Sequence, residues 1–431
     1  MSAVARERAR FQQTADNDWA SQPDRHPHRV VHYGQYVFKP VSALAFFDFG
    51  VDPFTGHTLF LEGHRQNSAN FSEAGQSSVL LRFGQLTPAF VLQVLTPLLI
   101  AFIAFGSVAR EREQGQLRLL IAHGAPATCI VAGKLAAHGA CGLLCAAPAF
   151  VALAVLGLGT PALLAQAAWM GVGYAAYLLL WSALAVLVSA LSTSSRNALL
   201  ALVGFWIATV VVAPRVAAEA AGRSIERPTR IETEGALARQ LAALGDSHDP
   251  NDPHFAAFRA RVLAQYKVTR VEDLPLNYGG LVIEEGERLT SALFEQTMQA
   301  DQARQQRQGR LSDGAAVLSP VIALRRLSST LAGTDGASHA RFLLAAERYR
   351  YALIQALNQL HVQKIGYHND RDQRLGSAHW KSMPQFAWQA ATADTLLARA
   401  LWPALAIFAG WALVLGGAAV WVARKLERNA A

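Results

Sequence analysis

Histidines near the start of the chain are the first residues whose types and spacing suggest chemistry. His26, His28 and His32 lie close together, and His57 and His64 follow in the same region. Imidazole nitrogens are common ligands of zinc and copper, so this group could build a metal site. No acidic or cysteine partner stands beside it at ligand spacing, and hydrogen-bonded or surface histidines are commoner. The sequence therefore favours ordinary loop histidines, and we predict no metal.

A second group combines one histidine with two cysteines. His138, Cys141 and Cys145 are spaced by three and four residues, which places them on one face of a helix. Such a face could hold a soft metal such as copper. Small thiols that line a contact between helices are the more frequent explanation. His138 is the best polar candidate to test inside a membrane, because ionisable groups at that depth usually face a cavity or a partner.

Motifs for catalysis and nucleotide binding are missing from the sequence. Gly133 and Lys134 superficially suggest a phosphate-binding loop, but Leu135 follows them where that loop has Ser or Thr. There is no dinucleotide fingerprint and no zinc-protease helix, and no span carries paired carboxylates or a nucleophile with its base. We therefore expect no catalysis by this chain and no cofactor bound to it, so that any ATP is handled by another polypeptide.

The composition indicates a membrane protein. Of 431 residues, 52% are apolar and only 16% are charged, and the apolar residues are gathered into long runs. A hydrocarbon core about 30 Å thick needs roughly 20 apolar residues of helix. The net charge of +8 is spread among loops and the tail, without a basic stripe that would predict a nucleic-acid partner. The sequence predicts a mainly α, polytopic helical membrane protein with spans at 87–108, 135–158, 167–191, 198–213 and 401–422.

Basic residues predict the orientation of these spans, because short cytoplasmic loops carry excess Lys and Arg. They occur between the first two spans, between the third and fourth, and in the tail, as Arg110, Arg112, Arg118, Lys134, Arg196, Arg424, Lys425 and Arg428. The predicted organisation is a small mixed extracytoplasmic region at 1–86, four spans with a cytoplasmic element (109–134) at 87–214, a helical extracytoplasmic domain at 215–398, and the last span with a cytoplasmic tail at 399–431.

The predicted extracytoplasmic regions differ in their patterns. Residues 30–38 alternate as in a β-strand, and 58–61 form another apolar run, whereas 231–244, 255–266, 281–305 and 346–360 have helical periodicity. An N-terminal region outside the cytoplasm must follow a signal peptide or a span, and residues 1–22 are polar. We therefore expect a sixth, N-terminal span that is absent from this sequence.

The segment between the first two spans carries a specific resemblance. It reads Arg-Glu-Arg-Glu-Gln-Gly-Gln-Leu from Arg110 to Leu117, and Gly133-Lys134 follows before the next span. This pattern resembles the permease family of type-2 ABC transporters, although Gln116 stands where Thr or Ser is usual. The resemblance implies a short helix that contacts an ATP-binding subunit and transmits its closure to the spans. It assigns Glu111, Glu113, Gly115 and Leu117 to that contact, and Gly133 and Lys134 to the entry of the next helix.

The resemblance covers nearly the whole chain. Segments such as Asp273-Leu274-Pro275-Leu276-Asn277 are similar to a bacterial sub-group with large uncharacterised outer domains, in which a span precedes the region that begins here. It implies a permease of the bacterial inner membrane, expected to export, that works with a second permease chain, separate ATP-binding subunits and membrane lipid. The alternative is a non-transporting relay or scaffold that transmits ATPase motion to the outer domains.

Overall fold

The protein is described by a computed structural model at residues 3–64, 86–245, 249 and 251–430. Within these residues, five helices are long and apolar enough to cross a membrane. They coincide with the five predicted runs, which confirms the mainly α fold with five spans. The fourth run, predicted as the shortest, lies in a helix of 30 residues. The first to fifth spans are Pro88–Glu113, Ala127–Gly157, Pro161–Leu191, Ser195–Ser224 and Ala393–Arg428.

The first span contains a π-helical segment at Val91–Leu95. Pro97 lies four residues after Gln93 and has no N–H group, so the Gln93 carbonyl lacks its usual partner in the helix. Tyr177 Oη of the third span donates to this carbonyl at 3.0 Å. The carbonyl freed by this break in the helix therefore links the first span to the third.

The fourth span has a similar break at Ile207–Val212. Pro214 follows it, again without an N–H group for the preceding turn. The carbonyl of Thr209 accepts a hydrogen bond of 2.5 Å from Ser319 Oγ, which lies far along the chain between the fourth and fifth spans. This bond ties the membrane bundle to the polypeptide outside it.

The N-terminal residues and those between the fourth and fifth spans pack into one domain, here called the large domain (residues 3–64 and 225–392). Trp380 is buried and its Nε1 donates to the Pro23 carbonyl at 3.1 Å. The sequence treated these as two separate regions, whereas in the structure they share a hydrophobic core. That core comprises Trp19, Val30, Val31, Val37, Leu59, Leu61, Phe342, Ala346, Tyr349, Leu353, Ile354, Leu357 and Trp380.

Two short antiparallel strands lie in this domain. They are β1 (Gln35–Phe38) and β2 (Thr58–Leu61), with Gln35 opposite Leu61. The strand predicted at 30–38 is therefore wrong in its first part, where a helix covers Pro27–Val31. Pro27 favours the start of a helix, and His26 Nδ1 accepts from a backbone amide there, so local capping overrides the alternating pattern.

The helices predicted at 231–244, 255–266, 281–305 and 346–360 are all present. The described residues also contain three single 3₁₀ turns, at Val271–Asp273, Ala315–Val317 and Tyr367–Asn369. The helices described outside the five spans are α1 (Ala3–Ala20), α2 (Pro27–Val31), α3 (Asp52–Thr55), α4 (Gln116–Ala122), α5 (Arg230–Leu244), α6 (Pro253–Tyr266), α7 (Tyr278–Gly314), α8 (Pro320–Ala332), α9 (Gly336–Lys364) and α10 (Ala378–Lys381).

Helix α8 joins the large domain to the bundle. Ten of its residues are buried, and it packs against the third and fifth spans. Ser328 lies 2.8 Å from Tyr174 Oη of the third span. Gly173 lets the two helices approach, since a Cβ there would meet Leu327 Cδ2 at 2.5 Å. The large domain and the third span are therefore in direct, close-packed contact.

A buried cation fastens α7 to α9. The Arg350 side chain is 1% exposed, and its Nη1 donates to Glu287 Oε1 at 2.6 Å. Its Nη2 donates to Glu347 Oε1 and to Ser291 Oγ, each at 2.7 Å. Both carboxylates are buried as well. Each charge in this network has an opposite charge and hydrogen bonds, the condition under which buried ions are tolerated.

Candidate functional site

The segment between the first two spans (residues 109–134, the connecting segment) is built as a sharp turn between helices. The first span ends at Glu113, and α4 begins at Gln116. Gly115 lies between them with φ +76°, in the left-handed region that a side chain disfavours. The second span begins at Ala127. Gly133 and Lys134 therefore lie inside that helix, beyond its first turn.

Arg112 clamps the connecting segment to the end of the third span. Its two terminal nitrogens donate to the backbone carbonyls of Ser192 and Ala190, each at 2.5 Å. These carbonyls belong to the last turn of a helix or lie just beyond it, where no amide from the next turn is available. Because the guanidinium group is charged, its hydrogen bonds to these carbonyls are stronger than those of a neutral donor. The first and third spans are thus joined at this end.

Ser189 adds a second clamp at the same place. Its hydroxyl accepts from the backbone amides of Val108 and Ala109 at 3.0 and 3.1 Å and donates to the Phe105 carbonyl at 2.7 Å. The residue is completely buried. One hydroxyl therefore satisfies three backbone groups where the winding of the first span is interrupted.

The two predicted contact glutamates hold the segment to the second and fourth spans. Glu113 accepts from the backbone amide and the hydroxyl of Ser195, both at 2.9 Å, at the start of the fourth span. Glu111 Oε1 accepts from Lys134 Nζ of the second span at 2.7 Å. The charged pattern thus cross-links the spans, and Lys134 has a partner that its sequence position did not reveal.

Leu117 packs inward rather than facing solvent. It is 5% exposed and shares a hydrophobic cluster with Val422 and Leu426 of the fifth span. Glu427, one residue further, accepts from the Ala127 amide at 3.2 Å and caps the second span. The connecting segment, the turn after the third span and the end of the fifth span therefore meet at one end of the bundle. We call this the basic end, after the predicted cytoplasmic residues it contains.

The exposed side of the connecting segment carries apolar residues. Leu119 and Leu120 of α4 are 60% and 43% exposed, and Arg118 beside them is also exposed. The charged pattern around these leucines gives no sign of their exposure. Nor does the sequence reveal the roles of Ser189, Ser195 and Glu427, which depend on spans distant in sequence.

Comparison with known families decides the class of this protein. Residues 9–233, more than half of the chain, match the model described as ABC-2 family transporter protein. The chain belongs to the ABC-2 family. In this ABC-2 protein, residues 230–389 also match a domain of unknown function, DUF3526. No curated protein and no solved structure matches the chain. Membership makes it a multi-pass membrane component of an ABC transporter and implies an ATP-binding subunit as its partner.

The predicted intramembrane residues of the ABC-2 protein, His138, Cys141 and Cys145, differ in their contacts. His138 Nε2 lies 2.9 Å from Ser107 Oγ, which links the second span to the first. Cys141 and Cys145 are free and exposed, so they line no helix contact within this chain. Among the described residues, the groups close enough to hold a metal ion include none of these three.

Five histidines of the large domain fall into two compact groups. His28, His32 and His64 form one, with one ring nitrogen of each within 4.8 Å of the others. Burial, and next the neighbouring His32 and His64 rings, lower the pKa of His28 to about 4. His26 belongs to a second group, and His57 instead lies 3.0 Å from the hydroxyl of the adjacent threonine.

His339, at the start of α9, makes the stability of the ABC-2 protein depend on pH. Burial, and next the charge of Lys39, lower its pKa from 6.5 to about 4. Between pH 6.5 and about pH 4, His339 is protonated in the unfolded chain but neutral in the folded chain. The stability of the folded protein therefore falls as the pH is lowered through this range. We expect His339 to cost about 2 kcal/mol between pH 7 and pH 5.

The measurement is the apparent unfolding temperature of the purified protein with EDTA at both pH values. His339→Asn should reduce the wild-type drop by roughly 4–8 °C, whereas the exposed His123→Asn should leave it unchanged. An equal drop in wild type and His339→Asn would exclude His339 as the cause.

Proposed function

We propose that this chain is the permease subunit of an ATP-driven exporter in the bacterial inner membrane. A separate ATP-binding subunit binds its basic end and hydrolyses the ATP, so this chain has no catalysis and no ATP site of its own. The basic end then faces the cytoplasm and the large domain lies outside, in agreement with the rule for basic loops.

The clamping of the connecting segment is the observation that carries this proposal. Arg112, Glu113 and Glu111 join it to the third, fourth and second spans respectively. A partner that pushes on α4 therefore moves four spans together, because each is held by charged hydrogen bonds. An ordinary charged loop between two helices needs no such connections.

The exposed leucines of α4 are better candidates for the contact with the ATP-binding subunit than the predicted glutamates. Glu111 and Glu113 have bonds within the chain, so their contact with the ATPase remains a prediction. Leu119 and Leu120 lie free on the surface at the basic end and suit the apolar centre of a protein interface, with Arg118 beside them.

A second permease chain completes the proposed assembly. The spans differ in how much of their apolar 18-residue stretch is buried within the chain. The buried share is 22% in the second span, 17% in the fourth and in the fifth, and 56% in the third. The outward faces of these three spans are therefore available to lipid or to a second chain. The transport path would lie between the two chains.

The first experiment is a pull-down from detergent-solubilised native membranes. Leu119→Arg should reduce the co-purified ATP-binding subunit at least tenfold, since a charge at the centre of an apolar contact costs about 2 kcal/mol or more. Leu311→Arg is the matched control, because Leu311 is 52% exposed on α7 of the large domain.

The control should retain the wild-type amount of ATP-binding subunit. Equal recovery with Leu119→Arg would show that α4 is not the contact. Absence of an ATP-binding subunit from the wild-type sample would remove the permease proposal itself.

The relay alternative draws on helix α8. Its burial against the third span gives motion of the bundle a direct route to the large domain. A relay predicts ATP-dependent movement of the large domain in proteoliposomes without any net transport. A permease moves a solute across the same membrane.

A further inference from the structure

Three histidines of the large domain stand where one ion could be shared. His28 and His32 are separated by one turn at α2, and His64 follows β2. One ring nitrogen of each lies within 4.8 Å of the other two. In a tetrahedral zinc site with bonds of 2.0–2.1 Å, ligand atoms are about 3.4 Å apart. Since His32 and His64 are exposed, small side-chain rotations bring the rings to this spacing.

The third ligand is oriented by a carboxylate. His64 Nδ1 lies 3.4 Å from Glu287 Oε2, and the Glu287 side chain is completely buried. Arg350 holds the other oxygen of that carboxylate. Histidines that bind metal usually donate their second ring N–H to such a group, which leaves Nε2 free for the ion. The His64 backbone is also held in the left-handed region, at φ +62°, a strain typical of functional positions.

His28 supplies an unsatisfied nitrogen. Its Nδ1 is buried and has no hydrogen-bond partner within the described part of the chain. Buried polar atoms nearly always have a partner, and one without needs an explanation such as a bound ion. A metal bound by this ring would provide that explanation.

The neighbouring group of His26, His361 and Asp370 is also compact, but its protons are arranged differently. His26 Nδ1 accepts from the His28 amide at 3.2 Å, so the neutral ring carries its proton on Nε2 and has no lone pair there for a metal. Asp370 Oδ1 already lies 2.6 Å from His361 Nε2 and accepts from Asn277 at 2.6 Å. His26 Nε2 and His361 Nδ1 are also buried without a hydrogen-bond partner among the described residues. The engaged Asp370 carboxylate and the missing lone pair of His26 nevertheless make this second group the weaker candidate for a metal.

We propose that His28, His32 and His64 form a binding site for a divalent transition-metal ion of the zinc class, with an open fourth position facing solvent. Three imidazoles suit zinc, copper or nickel better than the hard cations calcium and magnesium. The proposal is independent of the permease function, because metal binding to the large domain requires neither ATP nor a partner subunit.

The test uses the full-length protein, purified without a histidine tag, stripped with EDTA and titrated with Zn²⁺ by calorimetry. Wild type should bind one zinc ion with a Kd of about 1 μM or less. His32→Asn and His64→Asn should each weaken binding at least tenfold, since each removes one of three ligands. His123→Asn is the control, as it removes an exposed histidine from the connecting segment.

Two further measurements keep the result interpretable. The variants should match wild type in apparent unfolding temperature with EDTA, which separates ligand loss from misfolding. Bound Co²⁺ should give the intense visible absorption of a tetrahedral site, and His32→Asn should lose it. Wild type that binds zinc more weakly than about 10 μM, or folded His32→Asn and His64→Asn with wild-type affinity, would overturn the proposal.

Discussion

Replacing Arg350 with methionine will destabilise the large domain by about 3–5 kcal/mol, because the substitution leaves Glu287 and Glu347 buried without their cation. The methionine side chain is similar in length to that of arginine, so little volume is lost. The fall in stability therefore reports the loss of charge rather than a loss of packing. Arg350 also bonds Ser291, and that hydroxyl loses its partner as well. The apparent unfolding temperature should fall by roughly 10 °C.

The neighbouring Arg348 provides the control. It lies on the same helix but is exposed, and Arg348→Met should change stability by less than about 0.5 kcal/mol. Adding Glu287→Gln to Arg350→Met should recover part of the loss, since it removes one uncompensated charge. A fall of less than about 2 °C in Arg350→Met would mean that water or another cation compensates the carboxylates.

Replacing Arg112 with glutamine will uncouple the ATP-binding subunit from the spans while leaving it bound. The substitution breaks two charge-assisted hydrogen bonds to the end of the third span, each worth about 1.5–3 kcal/mol. Because the exposed surface of α4 is unchanged, the ATP-binding subunit should still co-purify. Its closure should move the third span less, because, of the hydrogen bonds described above, only those of Ser189 then join the first and third spans at this end.

The measurement is an electron spin resonance distance in the reconstituted complex. The three native cysteines are replaced by serine, and Ala162→Cys, at the far end of the third span, provides the thiol for a spin label in both permease chains. Addition of ATP should change the distance between labels in the parent protein and change it by less than half as much in Arg112→Gln. Arg110→Gln, an exposed neighbour, should behave as the parent. An undiminished change in Arg112→Gln would assign coupling to the other clamps.

The five spans were predictable because the physical requirement is local. About 20 consecutive apolar residues satisfy a hydrocarbon layer wherever they occur in a sequence, and the structure confirms each run. The fourth was underestimated because Pro214 ends its apolar run, whereas the helix continues to Ser224. A proline in the first turn of a new helical segment does not stop the chain from winding.

The clamps, and the grouping of three of the five singled-out histidines, were not predictable for the opposite reason. Glu113 was singled out, but its partner Ser195 is 82 residues away. Five histidines were singled out, but their sequence positions did not reveal that His28, His32 and His64 lie together or that Glu287 contacts His64 across 223 residues. Local spacing describes one element at a time, and these contacts exist only after several elements have packed.

The shared core of the large domain also constrains how the protein is made. Tyr349 bonds Gln35 from 314 residues further along the chain, and α9, which provides much of that core, follows four spans. At about 5–20 residues per second, the ribosome needs roughly 15–60 s to synthesise the missing half of the core. During that time Val30, Val37 and Leu59 lack the part of their hydrophobic core that α9 and Trp380 supply. Nascent chains paused before α9 should therefore be bound by chaperones and cut readily by proteases, and release of the pause should end both.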